Sequence, residues 1–481
     1  MNISFTLDAY TFPDLRVQAL YRPLCHLGSN FACTVLNTIF APPQLWPLKP
    51  HSDILDALFS SDKMKALASF QDLYVGLQPY RNSGKIGGGV LRKTAPAVFG
   101  LLAALELHPT NERCGVYAPV GGFRAVGEAM TNLAKDCGVT VQCGRAVTRV
   151  TDGGVYAVAA AAPKVGGGPE EEEMVEAEFL PADLVVVNAD LPFATETMAN
   201  VSIGGESSAL SSEDLRERYD WDDSFDFSSG VVAFHWSVSK RLDDLNTHNV
   251  FLSAENRAAM EKSWDLLRKD DKETPPPAFG GPFNFYVHRA SKTDPTAAPL
   301  GCDSIMVLVP CQTLRRNKQL AGIPRHEMME RYKEQFDAPF ISEVRRAVLK
   351  RLGALESLGD LENFIVDEVV DTPATYADFY NLAAGAPFAL VSRSQQKEAL
   401  IYFMTFQTNH KFASLSLSPI TQSHGFSQLS LTRPGPRNNG FKNVLFVGAS
   451  SRPGNGVPLV LLGAKAVATQ ASKRLSELAK M

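Results

Sequence analysis

Asn443-Val-Leu-Phe-Val447 runs into Gly448-Ala-Ser-Ser-Arg452-Pro-Gly454-Asn-Gly456-Val-Pro458, and a helical pattern from Leu459 to Leu478 follows. An apolar strand, a glycine-rich loop and a helix in that order suit ligand binding. Glycines let the backbone approach a bound group closely. The helix start offers free N–H groups and a positive dipole end. The pattern is not GxGxxG, because Gly454-Asn-Gly456-Val-Pro-Leu459 lacks the last glycine. It is not a phosphate-binding P-loop either, because no Gly-Lys-Ser/Thr ending follows. Shape alone leaves two readings open, a ligand loop or a tight strand-to-helix turn.

Working outward, Asp183-Leu-Val-Val-Val-Asn188 reads as a strand buried on both faces of a parallel sheet. Asn188, Ala189 and Asp190 then stand at its carboxyl end, where α/β folds place ligands. Asp190 is a site candidate or a helix cap. Val147–Thr151 and Val155–Ala160 read as a hairpin across Asp152-Gly153-Gly154, and Val139–Cys143 as a further strand. Ser229–His235 and Ser304–Pro310 complete the strands. Helical periodicity covers Ser52–Phe70, with Ser52 as candidate cap, and Ala95–Leu107, Phe123–Cys137 and His326–Leu352. Gly166–Glu173 is a solvated loop and Asp271–Pro282 a charged, Pro-rich linker.

The chain has 481 residues, 45% of them hydrophobic and 21% charged, which supports packed cores in about three units. A net charge of −5 excludes a nucleic-acid binder, since no basic surplus neutralises phosphates. Seven cysteines without a CxxC exclude a zinc site and point to a reduced, intracellular compartment. No metal is expected. No signal peptide or run of 18 apolar residues occurs. Pro23–Leu48 carries no Asp, Glu, Lys or Arg but holds Phe31, Leu36, Phe40 and Trp46. It is either a buried helix and loop or a surface that dips into a bilayer without crossing it.

The run Gly448–Lys465 resembles the C-terminal flavin-binding signature of carotenoid desaturases of the phytoene desaturase type. Phe70–Tyr80, Lys93–Leu102, Gly115–Phe123, Tyr286–Gly301 and Thr372–Phe388 are similar to that family's other motifs, in its order. The resemblance covers most of Ser52–Leu478, and the fungal-like branch is nearest. It implies an α/β fold: an FAD-binding amine-oxidase-like fold with an inserted helical and β substrate domain. By the same token residues 1–118 form a substrate- and membrane-associated helical part and 119–200 the remaining strands of the FAD domain. Residues 201–375 form the substrate domain and 376–481 the C-terminal FAD-binding part.

The implied reaction is stepwise desaturation of 15-cis-phytoene towards lycopene or 3,4-didehydrolycopene. Removing hydride from an alkyl chain needs an acceptor that no side chain supplies, so a cofactor must supply it; the resemblance implies FAD, with NAD disfavoured. The implied partners are a C40 carotene and a membrane surface met from one side; the protein is then an intracellular peripheral membrane protein. Self-association stays open. Two other readings remain: a retinol saturase-like or isomerase-like enzyme, and an inactive homologue that binds lipid or a partner protein.

The residues expected at the cofactor are Gly448, Ala449, Arg452, Gly454, Gly456, Val457 and Pro458. Arg452 either offsets negative charge on a reduced flavin or solvates the loop. Asp294, His248 and Glu368 are weak candidates for a proton acceptor. Phe70, Tyr74, Tyr80, Phe99 and Tyr117 line either the core or a polyene. Two departures from the family stand out. The GxGxxG unit with which the family begins does not occur, so the N-terminal dinucleotide-binding unit is expected to be missing. Segment 391–422 interrupts a pattern that joining Leu390 to Ser423 restores; it is an unspliced segment or a true surface insertion.

Overall fold

The computed structural model describes residues 51–70, 72, 79–80, 97, 117–159, 177–198, 225–264, 281–314, 325–387, 390–392, 434–437 and 441–480. Pro23–Leu48, Ala95–Leu107 save Ala97, Gly166–Glu173, Tyr74 and Phe99 lie outside these residues, as do nearly all of segments 271–282 and 391–422. In chain order the elements are α1 (His51–Leu58), α2 (Asp62–Ser69), α3 (Gly122–Asp136), β1 (Arg145–Thr151), β2 (Gly154–Ala159), β3 (Glu178–Pro181), β4 (Val185–Val187), β5 (Phe225–Phe227), β6 (Gly230–Val238), β7 (His248–Phe251), α4 (Arg257–Lys262), β8 (Phe285–Arg289), β9 (Asp303–Cys311), α5 (Arg325–Lys333), α6 (Ala338–Leu352), β10 (Ile365–Asp371), α7 (Pro373–Tyr380), β11 (Leu390–Ser392), β12 (Val444–Phe446) and α8 (Val457–Leu478). This is a mixed α/β architecture.

The largest sheet is antiparallel, in the order β10-β6-β9-β8-β7. Its long partners β6 and β9 run from Gly230 opposite Cys311 to Val238 opposite Asp303. Side chains alternate across a strand. One face of β6 therefore presents Val232, Phe234, Trp236 and Val238, and the same face of β9 presents Ile305, Val307 and Val309. Both sets pack with Val344, Val348 and Leu352 of α6. Each large apolar side chain fully buried there contributes about 1.5–3 kcal/mol. A buried ion pair stitches the far end: Arg289 Nη2 lies 2.9 Å from Asp303 Oδ2, both side chains out of water. The opposite face carries the row His235, Met306, His288 and His248 across four strands.

A second, smaller layer holds the loop of interest. β12 pairs in parallel with β4, Val444–Phe446 beside Val185–Val187. The hairpin of β1 and β2, with β3 alongside, stands next to them. Its turn fixes the start of β12: Asp152 Oδ1 accepts from Lys442 N at 2.8 Å and Asn443 N at 2.7 Å. Val150, Val185, Val187, Leu191, Val444 and Phe446 form this layer's core.

Several local expectations change. Ser52–Phe70 is two helices rather than one, parted at residues 59–61, and Ser52 lies buried inside α1 instead of capping it. His326–Leu352 is also broken. Asp337 accepts from Phe340 N at 2.9 Å and caps α6, whose first turn holds Pro339, so the chain restarts a helix there. Val139–Cys143 is not a strand; it has the alternation, but among the described residues no neighbouring strand takes its hydrogen bonds. In β4 the middle residue, Val186, is 47% exposed, so this strand is not buried on both faces. Val391 and Ser392, the first residues of segment 391–422, pair with Asp226 and Phe225 of β5. Among the described residues no helix is long and apolar enough to cross a membrane.

Candidate functional site

The strand–loop–helix unit forms as read. β12 ends at Phe446, and Gly448 takes φ +120°, Gly454 +133° and Gly456 +93°. A side chain is strained at such angles. Space also decides at Gly448, where a Cβ would sit 3.0 Å from Asn188 Oδ1. The loop folds back onto α8, and a Cβ at Gly463 would meet Pro453 Cδ at 3.0 Å and Arg452 O at 3.2 Å. No side chain caps α8, which begins at Gly456 and has Pro458 in its first turn. Its first N–H groups, those of Val457 and Leu459, have no partner within the helix.

Asp190 ties this loop to the larger sheet. Its Oδ1 accepts from Ser450 Oγ at 2.5 Å and its Oδ2 from Ala383 N at 3.0 Å. Ala384 O in turn accepts from Leu314 N, just past β9, at 3.1 Å. These links span 260, 193 and 70 residues of sequence, so the two layers meet at Asp190. Ser451 is 1% exposed and its Oγ has no hydrogen-bond partner. Leaving a buried hydroxyl unpaired costs about 1–3 kcal/mol, which is the mark of a position awaiting a polar ligand atom.

The residues expected at a cofactor are thus together on one loop, and they fit the ring end of a flavin. The fit rests on close backbone approach at three glycines, an uncapped helix start and an orphan hydroxyl. Sequence reading missed Ser450, Ser451 and Gly463. The serines signal nothing by type, whereas Gly463, a small residue in the second turn of a helix after a glycine loop, could have been noticed.

The three proton-acceptor candidates do not come together. Asp294 caps a turn. Its Oδ1 accepts from Thr296 N and Oγ1, and its Oδ2 from Gly121 N at 2.9 Å. The Thr296 hydroxyl and the two amides hold its carboxyl below the usual range, the opposite of what a base needs. Glu368 Oε2 is held by Trp236 Nε1 and by Arg345 Nε at 2.8 Å. Glu368 is on β10 and His248 on β7, opposite edges of the five-stranded sheet. Among the aromatic residues, Phe70 and Tyr80 are buried, and Tyr117 is 75% exposed.

His248 is paired with its own neighbours. Its Nδ1 lies 2.5 Å from the Tyr286 hydroxyl, and its ring stacks on His288 at 5.2 Å with planes 7° apart. Burial, then the His248 ring, lowers the pKa of His288 from its ordinary 6.5. The folded chain therefore keeps His288 neutral where the unfolded chain binds a proton. Stability should fall as pH drops below about 6.5, until the lowered value is passed. His288→Leu is expected to flatten that acid limb in urea midpoints measured from pH 7.5 to 5. Parallel limbs for variant and wild type would count against it.

No family model matches the chain. Curated relatives do. Phytoene desaturase of Neurospora crassa is 30% identical over 416 residues, covering 86% of this chain and 54% of that protein. Phytoene desaturase of Fusarium fujikuroi is 27% identical over 418 residues, 86% of this chain and 58% of that one. The zeta-carotene-forming phytoene desaturase of Myxococcus xanthus is 27% identical over 410 residues, 85% and 59%. The chain thus spans little more than half the length of these relatives. Among solved structures, an oxidoreductase from Methanosarcina mazei aligns with a TM-score of 0.41 at 14% identity, over 91% of this chain and 71% of that one. Cyclohexylamine oxidase from Brevibacterium oxydans aligns at 0.36 and 11%, over 96% and 77%.

Proposed function

From a chain homologous to phytoene desaturases over most of its length, we propose a carotenoid desaturase that binds FAD in an amine-oxidase-like fold and oxidises a C40 carotene, phytoene, towards lycopene. The observation that carries this is the 30% identity sustained over 416 residues. The flavin-shaped loop at Gly448–Pro458 supports it. FAD bound there supplies the hydride acceptor that desaturation of a CH–CH bond requires. The chain's own part is to hold and orient. Gly448, Gly454 and Gly456 admit the ring to the backbone, the N–H groups that open α8 favour negative charge beside it, and Asp190 fixes the loop against the larger sheet. Arg452 adds positive charge on the same loop.

The test is the full chain expressed in bacterial cells that accumulate phytoene. Pigments with longer conjugation, absorbing further to the red, are the expected result; unchanged phytoene with the protein present in soluble or membrane fractions would refute the assignment. Because a C40 hydrocarbon resides in lipid, the uncharged Pro23–Leu48 segment is proposed to bind a membrane surface from one side. Replacing Phe31, Leu36 and Phe40 with Asp together should release the protein from floated liposomes, and unchanged flotation of the folded triple variant would remove this part of the proposal.

A further inference from the structure

Two segments quoted from the sequence, 115–123 and 286–301, meet at residues 173 apart: Asp294 Oδ2 accepts from Gly121 N at 2.9 Å. Gly121 and Gly122 take φ +81° and +72°, and Gly121 begins the 15-residue α3 with no side-chain cap of its own. Asp294 brings from outside the negative charge that the start of a helix favours. Its other oxygen is used locally. Oδ1 accepts from Thr296 N at 2.9 Å and from Thr296 Oγ1 at 2.6 Å, which fixes the direction of the carboxyl group. The turn that carries it is tied to the start of β9. There Ser291 Oγ donates to Asp303 Oδ1 at 2.6 Å and accepts from Ser304 N at 3.3 Å. One side of the contact therefore belongs to the larger sheet. The other belongs to the smaller layer, since α3 leads through residues 137–144 into β1, and the β1–β2 turn holds the start of β12 through Asp152.

The place of this contact matters more than its strength. The layers also meet at Asp190, which holds Ser450 of the glycine loop and Ala383, while Ala384 O accepts from Leu314 N, just past β9. That link stands at the Cys311 end of β9. The Asp294 link stands at the Asp303 end, nine residues and about 27 Å away. Hydrogen bonds at one point leave a layer free to pivot about it. A second contact a strand's length off stops the pivot, because a rotation that spares the first pulls the second apart. The contacts close into a ring: from the glycine loop through Asp190 and Leu314 along β9 to Asp294, and back through α3, β1 and Asp152 to β12 and the loop. We propose that Asp294 is a positioning residue, the far anchor that fixes how the larger sheet stands to the glycine loop while a carotene is oxidised. Its part in the reaction rests on the desaturase assignment; the anchor itself does not.

Asp294→Ser separates the two jobs of this side chain. A serine has one oxygen, one bond nearer the backbone, so it keeps the cap on the turn at Thr296 and releases Gly121. The layers are followed by the distance between spin labels on Asn132→Cys of α3 and Ser342→Cys of α6, both exposed positions. The full chain is used, with every cysteine but the buried Cys311 replaced by serine. This parent should give one narrow distribution. Asp294→Ser should broaden it or add a second distance, while its urea midpoint stays with that of the parent because the cap is kept. In phytoene-accumulating cells it should lower conversion about threefold to tenfold, the span of one ordinary hydrogen bond. Asp294→Asn should behave alike, because an amide turns one of the two acceptor positions into a donor. Coincident distributions for the parent and Asp294→Ser overturn the anchor, as does a loss of conversion with no change in distance. A lowered urea midpoint in both variants would mark a merely structural cap and also overturn it. If the parent itself forms no coloured carotene, the desaturase assignment falls, and the distances still decide the anchor.

Discussion

Replacing Asp303 with leucine is expected to destabilise the larger sheet by about 3–5 kcal/mol, the usual cost of stripping one partner from a buried ion pair. Arg289 is the reason. Its side chain is 0% exposed, with Nη1 donating to Leu245 O at 2.9 Å and Nη2 to Asp243 Oδ1 at 3.2 Å. Asp243 is 69% exposed, so water screens it, and Asp303 is the one buried anion against the guanidinium among the described residues. Asp303 also accepts from Leu242 N and from Ser291 Oγ, each at 2.6 Å. Two donors and a cation lose their acceptor at once. The double variant Arg289→Met with Asp303→Leu should recover part of the loss, because no buried charge then remains; the shortfall reflects Leu242 N and Ser291 Oγ. Urea midpoints of the three variants measure this. A single-variant loss under about 1 kcal/mol would show that water reaches Arg289 and that the pair is not a buried one.

Gly385→Ala is expected to cost about 3–5 kcal/mol and to weaken flavin binding with it. Gly385 has φ +60°, and a Cβ there would lie 2.0 Å from Pro373 O and 2.5 Å from Pro373 C. Both are backbone atoms at the start of α7, anchored by the Thr372 cap and by Gly230, whose own Cβ position is 2.9 Å from Pro373 Cγ. Nothing flexible can yield, so the turn at 383–385 must move. That segment carries the N–H bound by Asp190 and the carbonyl bound by Leu314 N, so the joint between the layers moves too. Gly301→Ala is the control. It has φ +80° and nothing within 4 Å, and should show backbone strain alone, about 1–2 kcal/mol. Equal losses for the two variants, by urea unfolding, would mean that the clash at Pro373 is relieved and the coupling absent.

The unit that decided the fold class was readable because its causes are local. An apolar triplet, glycines where φ is positive and a helix that follows them are all contained in Asn443–Leu478. The hairpin around Asp152 and the long strands β6 and β9 were legible for the same reason, since alternation is a property of neighbours in sequence. The break before α6 was written in Asp337 and Pro339 and was obscured by the longer amphipathic run around it. Val139–Cys143 shows the reverse error: it has a strand's pattern, but a strand exists only where another chain segment accepts its hydrogen bonds.

The sequence by itself therefore determined the glycine loop, its place after a buried strand, and the kinship its motifs carry. Tertiary structure decided everything that depends on partners far apart in the chain. Asp190 joins Ser450 and Ala383, and His248, Glu368 and Asp294 stand apart and are occupied elsewhere, while Ser451 is left buried without a partner for its hydroxyl. Such side chains have no periodicity to betray them. Their meaning comes from whether a hydrogen bond is made or left unmade, and the folded packing alone settles that.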